Sequence, residues 1–220
     1  MTDLLARLRA LDTCAVSDAL DRHGVRGVLT GLRALAASRP FAGRAVTVRL
    51  GPAAGGGTPP RRHLGTAAVD AAGPGEVVVV AHQGRTDCAG WGGLLSRAAA
   101  VRGIEGVVVD GAARDLAEAA EAGLPVYARN ATPVTARARA AEQDWGEPVE
   151  LDGVTVVPGD LVLADAGGVV VIPAGRAEDV VATAERIAAT EAAMARAIEA
   201  GTPVSDVMGK TYEELTDADR

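Results

Sequence analysis

Aromatic residues are scarce in this chain: two Trp, two Tyr and one Phe among 220 residues. A surface that stacks nucleobases or grips single strands is not expected, and the core has to be built from Ala, Val and Leu. Cysteine is scarce as well. Cys14 and Cys88 lie 74 positions apart without a CxxC pattern, which argues against a disulfide scaffold or zinc knuckle and fits a reducing cytoplasm. No basic tract offsets the formal charge of −7, so nucleic acid is not an expected partner. No apolar run reaches membrane-spanning length, and "MTDLLARLRALDTC" lacks the basic start, long apolar stretch and cleavage site of a secretory signal. Membrane insertion and export are therefore not expected.

What is present suggests one substantial core. A length of 220 residues fits a single domain over 1–220, with the polar end from about 209, "GKTYEELTDADR", frayed. Leu4, Leu5, Leu8 and Leu11 form a helical stripe, and "VSDALDRHG" reads as a second helix with Ser17 or Asp18 near its start and Gly24 past its end. "RAVTVRL" alternates as a strand, and the Gly- and Pro-rich "GPAAGGGTPP" must be a loop. A regular alternation comes next: a helix near 61 to 72, strand "EVVVVAH", loop "QGRTDCAGWGG", helix "LLSRAAAVR", strand "GVVVD", helix "DLAEAAEAG" and strand "LPVYA". Val-rich, uninterrupted strands between helices predict a largely parallel, covered sheet. "PVELDGVTVVPGDLVLADAGGVVVIP" then reads as antiparallel β structure with Asp-Gly, Pro-Gly-Asp and Gly-Gly turns, before a long helix from about 175 to 200. The class is α/β with an added β layer.

Two features of "GWGGLLSRAAAVRGIEGVVVDGAARD", residues 90 to 115, point to chemistry. The amides of Gly92, Gly93, Leu94 and Leu95 are the orphan donors of a helix N-terminus and could hold a carboxylate or phosphate. A tight turn that brings the helix against the sheet accounts for the same glycines. Beyond the strand ending at Asp110, the chain delivers Arg114 and Asp115 to the carboxyl edge of the sheet, where open α/β folds bind ligands. A capping box explains Asp115 too, with Glu118 three residues on and Gly123 past the helix.

Two ligands compete for these features. Gly90, Gly92 and Asp110 loosely imitate a dinucleotide fingerprint, but Leu95 stands where the third glycine belongs and Gly90 lies eight positions beyond His82. The alternative is a small anionic substrate held by the amides and Arg114, with Asp115 on a divalent cation such as Mg²⁺. Other residues carry less. His23, His63 and His82 are too scattered for a metal motif, although His63 with Arg61 or Arg62 could meet a second substrate carboxylate. Asp160 and Asp165 sit in turn chemistry.

The chain resembles the RraA-like family, which includes the class II 4-hydroxy-4-methyl-2-oxoglutarate and 4-carboxy-4-hydroxy-2-oxoadipate aldolases. The resemblance rests on "VSDALD", "WGGLLSRAAAVRGIEGVVVDGAARD", "GLPVYARNATP" and "GVTVVPGDLVLADAGGVVVIP". It implies a compact layered swivelling β/β/α-type domain with a central sheet, an N-terminal helical pair and a long C-terminal helix, assembled as a homotrimer or dimer of trimers. It further implies that Asp115 binds Mg²⁺ or Mn²⁺, that Arg114 holds a 2-oxo acid and its enolate, and that the Gly92 to Leu95 amides hold the substrate carboxylate. The expected reaction is retro-aldol release of pyruvate, with oxaloacetate decarboxylation as a side activity. Gly93 departs from the acidic residue that many relatives carry there, and Asp87 is the candidate to replace it. Glu191 is the candidate for an acidic residue lent by the C-terminal helix of a neighbouring subunit. The family also contains regulators that bind a ribonuclease, so a non-catalytic binding protein is the alternative. Methyl transfer to demethylmenaquinone, another label used in the family, lacks a supporting glycine-rich cofactor loop.

Overall fold

The computed structural model describes residues 4–37, 39–53 and 63–209. The chain opens with helices α1 (Leu4–Leu8) and α2 (Thr13–Arg22), short strands β1 (Val28–Leu29) and β2 (Arg33–Ala36), and the long strand β3 (Phe41–Pro52). Then come helix α3 (Thr66–Ala71), strand β4 (Glu76–Trp91), helix α4 (Gly93–Val101), strand β5 (Gly106–Ala113), helix α5 (Leu116–Glu121) and strand β6 (Val126–Ala131). Strands β7 (Ala140–Trp145), β8 (Val149–Leu151), β9 (Val154–Val156), β10 (Leu161–Asp165) and β11 (Gly168–Ile172) lead to helices α6 (Ala177–Glu199) and α7 (Val204–Val207).

One nine-stranded sheet runs β1-β11-β10-β3-β4-β5-β6-β2, with β7 added along β3, and β8 and β9 form a separate hairpin. Its centre, β3 to β6, is parallel, and the flanking pairs are antiparallel. The predicted covered parallel sheet and the antiparallel layer after it are both found. Alternation along the central strands divides the core. Val78, Val80, Val107 and Val109 face a cluster with α3, α4 and α5, whereas Val77, Val79 and Val108 face the β8–β9 hairpin. On this second face, Phe41 and Tyr127 meet edge to face at 5.5 Å, and Gly106 is required because a Cβ there would lie 2.5 Å from the Phe41 ring. A third cluster packs α1, α2 and the first half of α6 on β10 and β11.

Two local expectations are corrected and one strand is added. Helix α2 begins at Thr13 and not near Ser17 or Asp18, because Asp12 caps it by accepting the Ala15 amide at 2.8 Å and Asp165 accepts the Thr13 amide at 2.8 Å. The predicted loop "QGRTDCAGWGG" is largely the second half of β4: from Val80 to Trp91 it advances eleven positions while its partners in β5, Val109 to Ala113, advance four. The surplus bulges outward at Gln83 and Gly84, both with positive φ, and stays strand-like because it returns to pair with β5. Strand β7, polar and half-exposed, has no counterpart among the sequence expectations; it is an edge strand whose partner β3 supplies the order. Most of the expected loop at 51–60 and the tail from 210 lie outside the described residues. Among the described residues no helix is long and apolar enough to cross a membrane.

Candidate active site at the N-termini of α4 and α5

A pocket of about 530 Å³ opens where α4 and α5 begin, and Gly92, Gly93, Leu94, Leu95, Arg114 and Asp115 all line it. The sheet explains the convergence. Trp91 and Ala113 are register partners at the ends of β4 and β5, and the Arg114 amide donates to the Trp91 carbonyl at 3.0 Å, so Gly92 onward and Arg114 onward leave the sheet side by side. The Trp91 indole is fixed beneath them: Nε1 donates to Ser96 Oγ at 2.9 Å, and Ser96 Oγ donates to the Gly92 carbonyl at 3.1 Å.

Asp115 occupies the cap position of α5 in the left-handed region, φ 55° and ψ 39°, and its side chain caps nothing. The capping-box reading is therefore overturned. Oδ2 accepts instead from the Gly93 amide at 3.2 Å and from Arg114 Nε at 3.1 Å. A non-glycine residue in this conformation is strained, and such strain concentrates at functional sites. The amide cradle is also narrower than expected. Gly92 is the extended N-cap of α4 and the Gly93 amide is taken by Asp115, which leaves Leu94 and Leu95 with N–H groups unpartnered among the described residues.

Glu118, read from sequence as half of a capping box, lies behind Gly93 and outside the described pocket lining. A Cβ at Gly93 would sit 2.7 Å from the Glu118 carboxyl group and 3.0 Å from Asp115 Cβ. The space of a side chain at position 93 is thus filled by the Glu118 carboxylate, held by Arg97 Nε at 3.0 Å. No sequence signal separates this role from a cap, because both need an acidic residue one turn into α5.

Asp87 lies outside the described pocket lining, and Arg85 holds both of its oxygens, Nε to Oδ1 at 3.0 Å and Nη2 to Oδ2 at 2.7 Å. This guanidinium pushes the Asp87 carboxyl below its ordinary range. Glu191 lies outside its own chain's pocket on the exposed half of α6, where partial burial and the nearby Asp12 and Asp18 raise its pKa. His63 lines the pocket with Nδ1 3.2 Å from the Leu64 carbonyl, while Arg61 and Arg62 lie outside the described residues.

The remaining candidates are structural. Buried Asp110 accepts from Arg129 Nε at 2.6 Å and from the Gly84 amide at 3.1 Å, which removes it as a ribose acceptor. His82 is buried, with Nε2 3.0 Å from the Cys88 carbonyl, and burial pushes its pKa down. His23 meets Thr183 Oγ1 at 2.9 Å. Asp160 accepts the Val157 and Ala174 amides at 2.8 and 2.9 Å, in keeping with its turn role, and Asp165 similarly accepts the Gly167 amide at 2.8 Å. Among the described residues no three His, Cys, Asp or Glu side chains converge as a metal site.

The RraA-like family model, described as Aldolase/RraA, matches residues 13–171. A protein of Halalkalibacterium halodurans named "Putative 4-hydroxy-4-methyl-2-oxoglutarate aldolase" is 32% identical over 89% of this chain and 89% of its own length. Protein DlpA of Legionella pneumophila is 32% identical over 91% of this chain, which spans 32% of that protein. The solved structure of Streptomyces coelicolor RraAS2, described as an unusual member of the RNase ES inhibitor RraA protein family, superposes with a TM-score of 0.77 at 28% identity, covering 87% of this chain and 94% of that one.

Proposed function

The chain belongs to the RraA-like family, and from that premise we propose that it is a divalent-metal-dependent lyase that cleaves a 4-hydroxy-2-oxo acid by a retro-aldol reaction and releases pyruvate. The observation that carries this reading is Asp115: its side chain leaves the capping role and turns to the pocket beside Arg114, at the N-terminus of α4.

The donor set fits a hard cation. Mg²⁺ or Mn²⁺ is held through one or two carboxylates with water and substrate oxygens completing the shell, and Asp115 would be the ligand with Glu118 close beside it. Bound there, the cation would supply Lewis-acid stabilisation of negative charge on a 2-oxo oxygen. The Leu94 and Leu95 amides would hold the C1 carboxylate, aided by the positive end of the helix. Arg114 would donate to the 2-oxo oxygen as charge develops on it. In the reaction the 4-hydroxyl loses its proton, C4 becomes a carbonyl, and the C3–C4 electron pair passes into the pyruvate enolate, which is protonated at C3. Oxaloacetate decarboxylation would reach the same enolate with CO₂ leaving.

An assembly as trimer or dimer of trimers, in which Glu191 of one copy approaches the pocket of the next, completes the proposal. The test is pyruvate release, coupled to lactate dehydrogenase, from 4-hydroxy-4-methyl-2-oxoglutarate, 4-carboxy-4-hydroxy-2-oxoadipate and oxaloacetate, with Mg²⁺ or EDTA, for wild type and Asp115→Ala. Release that needs the metal and Asp115 supports the lyase; no release from any of the three rejects these substrates. The similarity to RraAS2 favours a second reading, a regulator that binds a ribonuclease. Mg²⁺ should raise the Tm of a metal-dependent lyase by binding its folded state, whereas the regulator requires no such shift.

A further inference from the structure

The pocket that contains Arg114 and Asp115 contains a second arginine, Arg137, in the connection between β6 and β7. Two backbone bonds tie this connection to the site: the Thr132 amide donates to the Ala113 carbonyl, and the Ala89 amide to the Val134 carbonyl, each at 3.0 Å. Neighbouring guanidinium groups are committed. Arg114 engages Asp115 at 3.1 Å, Arg85 engages Asp87 and the Arg139 carbonyl at 2.9 Å, and Arg139 engages the Thr135 and Arg137 carbonyls at 3.4 Å. The Arg137 guanidinium has neither an ion pair nor a hydrogen bond among the described residues.

Asp115 is the one carboxylate in the described lining, and it is turned to Arg114 and Gly93. The wall therefore presents a cation that no described residue neutralises, beside the apolar surface of Leu64, Leu94, Ala98 and Ala136. A planar guanidinium matches a carboxylate through two parallel hydrogen bonds. The volume of about 530 Å³ also exceeds what a three-carbon oxo acid fills.

We propose that Arg137 reads a second carboxylate, so that the site selects 2-oxo dicarboxylates over 2-oxo acids with an uncharged tail. The proposal rests on the 2-oxo acid reading of the same pocket. Its test is calorimetric titration of the full chain at fixed Mg²⁺ with 2-oxoglutarate and 2-oxopentanoate, which share the oxo-acid head and five-carbon length and differ at the terminal carboxylate. Wild type should bind 2-oxoglutarate about tenfold more tightly, the worth of a charged hydrogen-bonded contact. Arg137→Gln should bind both at the 2-oxopentanoate level, with an unchanged Tm because the exposed side chain supports nothing, and Arg137→Lys should keep part of the preference. Equal wild-type affinities, or a preference that survives Arg137→Gln, would overturn the subsite and leave the 2-oxo acid reading standing. Binding of neither ligand would overturn both.

Discussion

The Asp115 carboxylate accepts the Gly93 amide at 3.2 Å across twenty-two residues of sequence. One side chain thereby joins the N-termini of two helices, and it does so from a left-handed backbone conformation that frees it from capping its own helix. The geometry places a carboxylate, an arginine and two amides without partners among the described residues in the lining of one pocket.

Asp115→Gly should separate function from stability. Glycine removes the left-handed penalty of about 1 kcal/mol, which offsets the loss of the Gly93 amide bond and of the pair with Arg114, whose side chains are about a third exposed. Thermal melts should show a Tm close to wild type, with pyruvate release lowered by about a hundredfold or more. A fall in Tm would assign Asp115 to structure.

Gly93 and Glu118 should be energetically coupled. A methyl at position 93 displaces the Glu118 carboxylate and with it the Arg97 pair. Gly93→Ala should destabilise by about 1 kcal/mol, and less in a Glu118→Ala background. Denaturant unfolding of the four chains of the cycle measures the difference, and additive effects would contradict the overlap.

His82 should govern a pH limb. Its folded pKa lies below the ordinary 6.5 because burial penalises the charged ring. The unfolded chain then binds more protons between the folded value and 6.5, so this contribution is complete above 6.5 and is lost as pH falls through that window. In melts from pH 7 to pH 4.5, His82→Gln should show a shallower loss of stability than wild type. Asp87 and Asp152, whose pKa values are lowered by hydrogen bonds from Arg85 and Thr30, act further down, below about pH 4, and are common to both chains.

Arg129→Ala should destabilise by about 3 kcal/mol, because it leaves the Asp110 carboxylate buried without its cation. Asp110→Asn in the same background should recover part of the loss by removing the buried charge. Urea unfolding midpoints test this, and a loss below about 0.5 kcal/mol would show that water reaches Asp110.

Much of the frame is legible in the residues. Unbroken Val runs at 77–80 and 107–109 specify strands covered on both faces, the spacing of Leu4, Leu5 and Leu8 specifies a helix, and glycines before "LLSRAAAV" mark a helix start. These signals are local, with the contributing residues lying within one or two turns of each other. Arg114 and Asp115 are also placed by pattern at the carboxyl edge of β5, since the residues next after a strand's end emerge at that edge.

Local pattern by itself determined the parallel sheet, the long C-terminal helix and the neighbourhood of the pocket. Tertiary structure decided which side chains face one another there. Glu118 occupies the room left by Gly93 because α4 and α5 leave the sheet side by side, and Arg137 reaches the pocket because its loop is pinned to Ala89 and Ala113. Each outcome depends on hydrogen bonds and contacts between segments distant in sequence, and hydrophobic period and residue type carry no record of those distances.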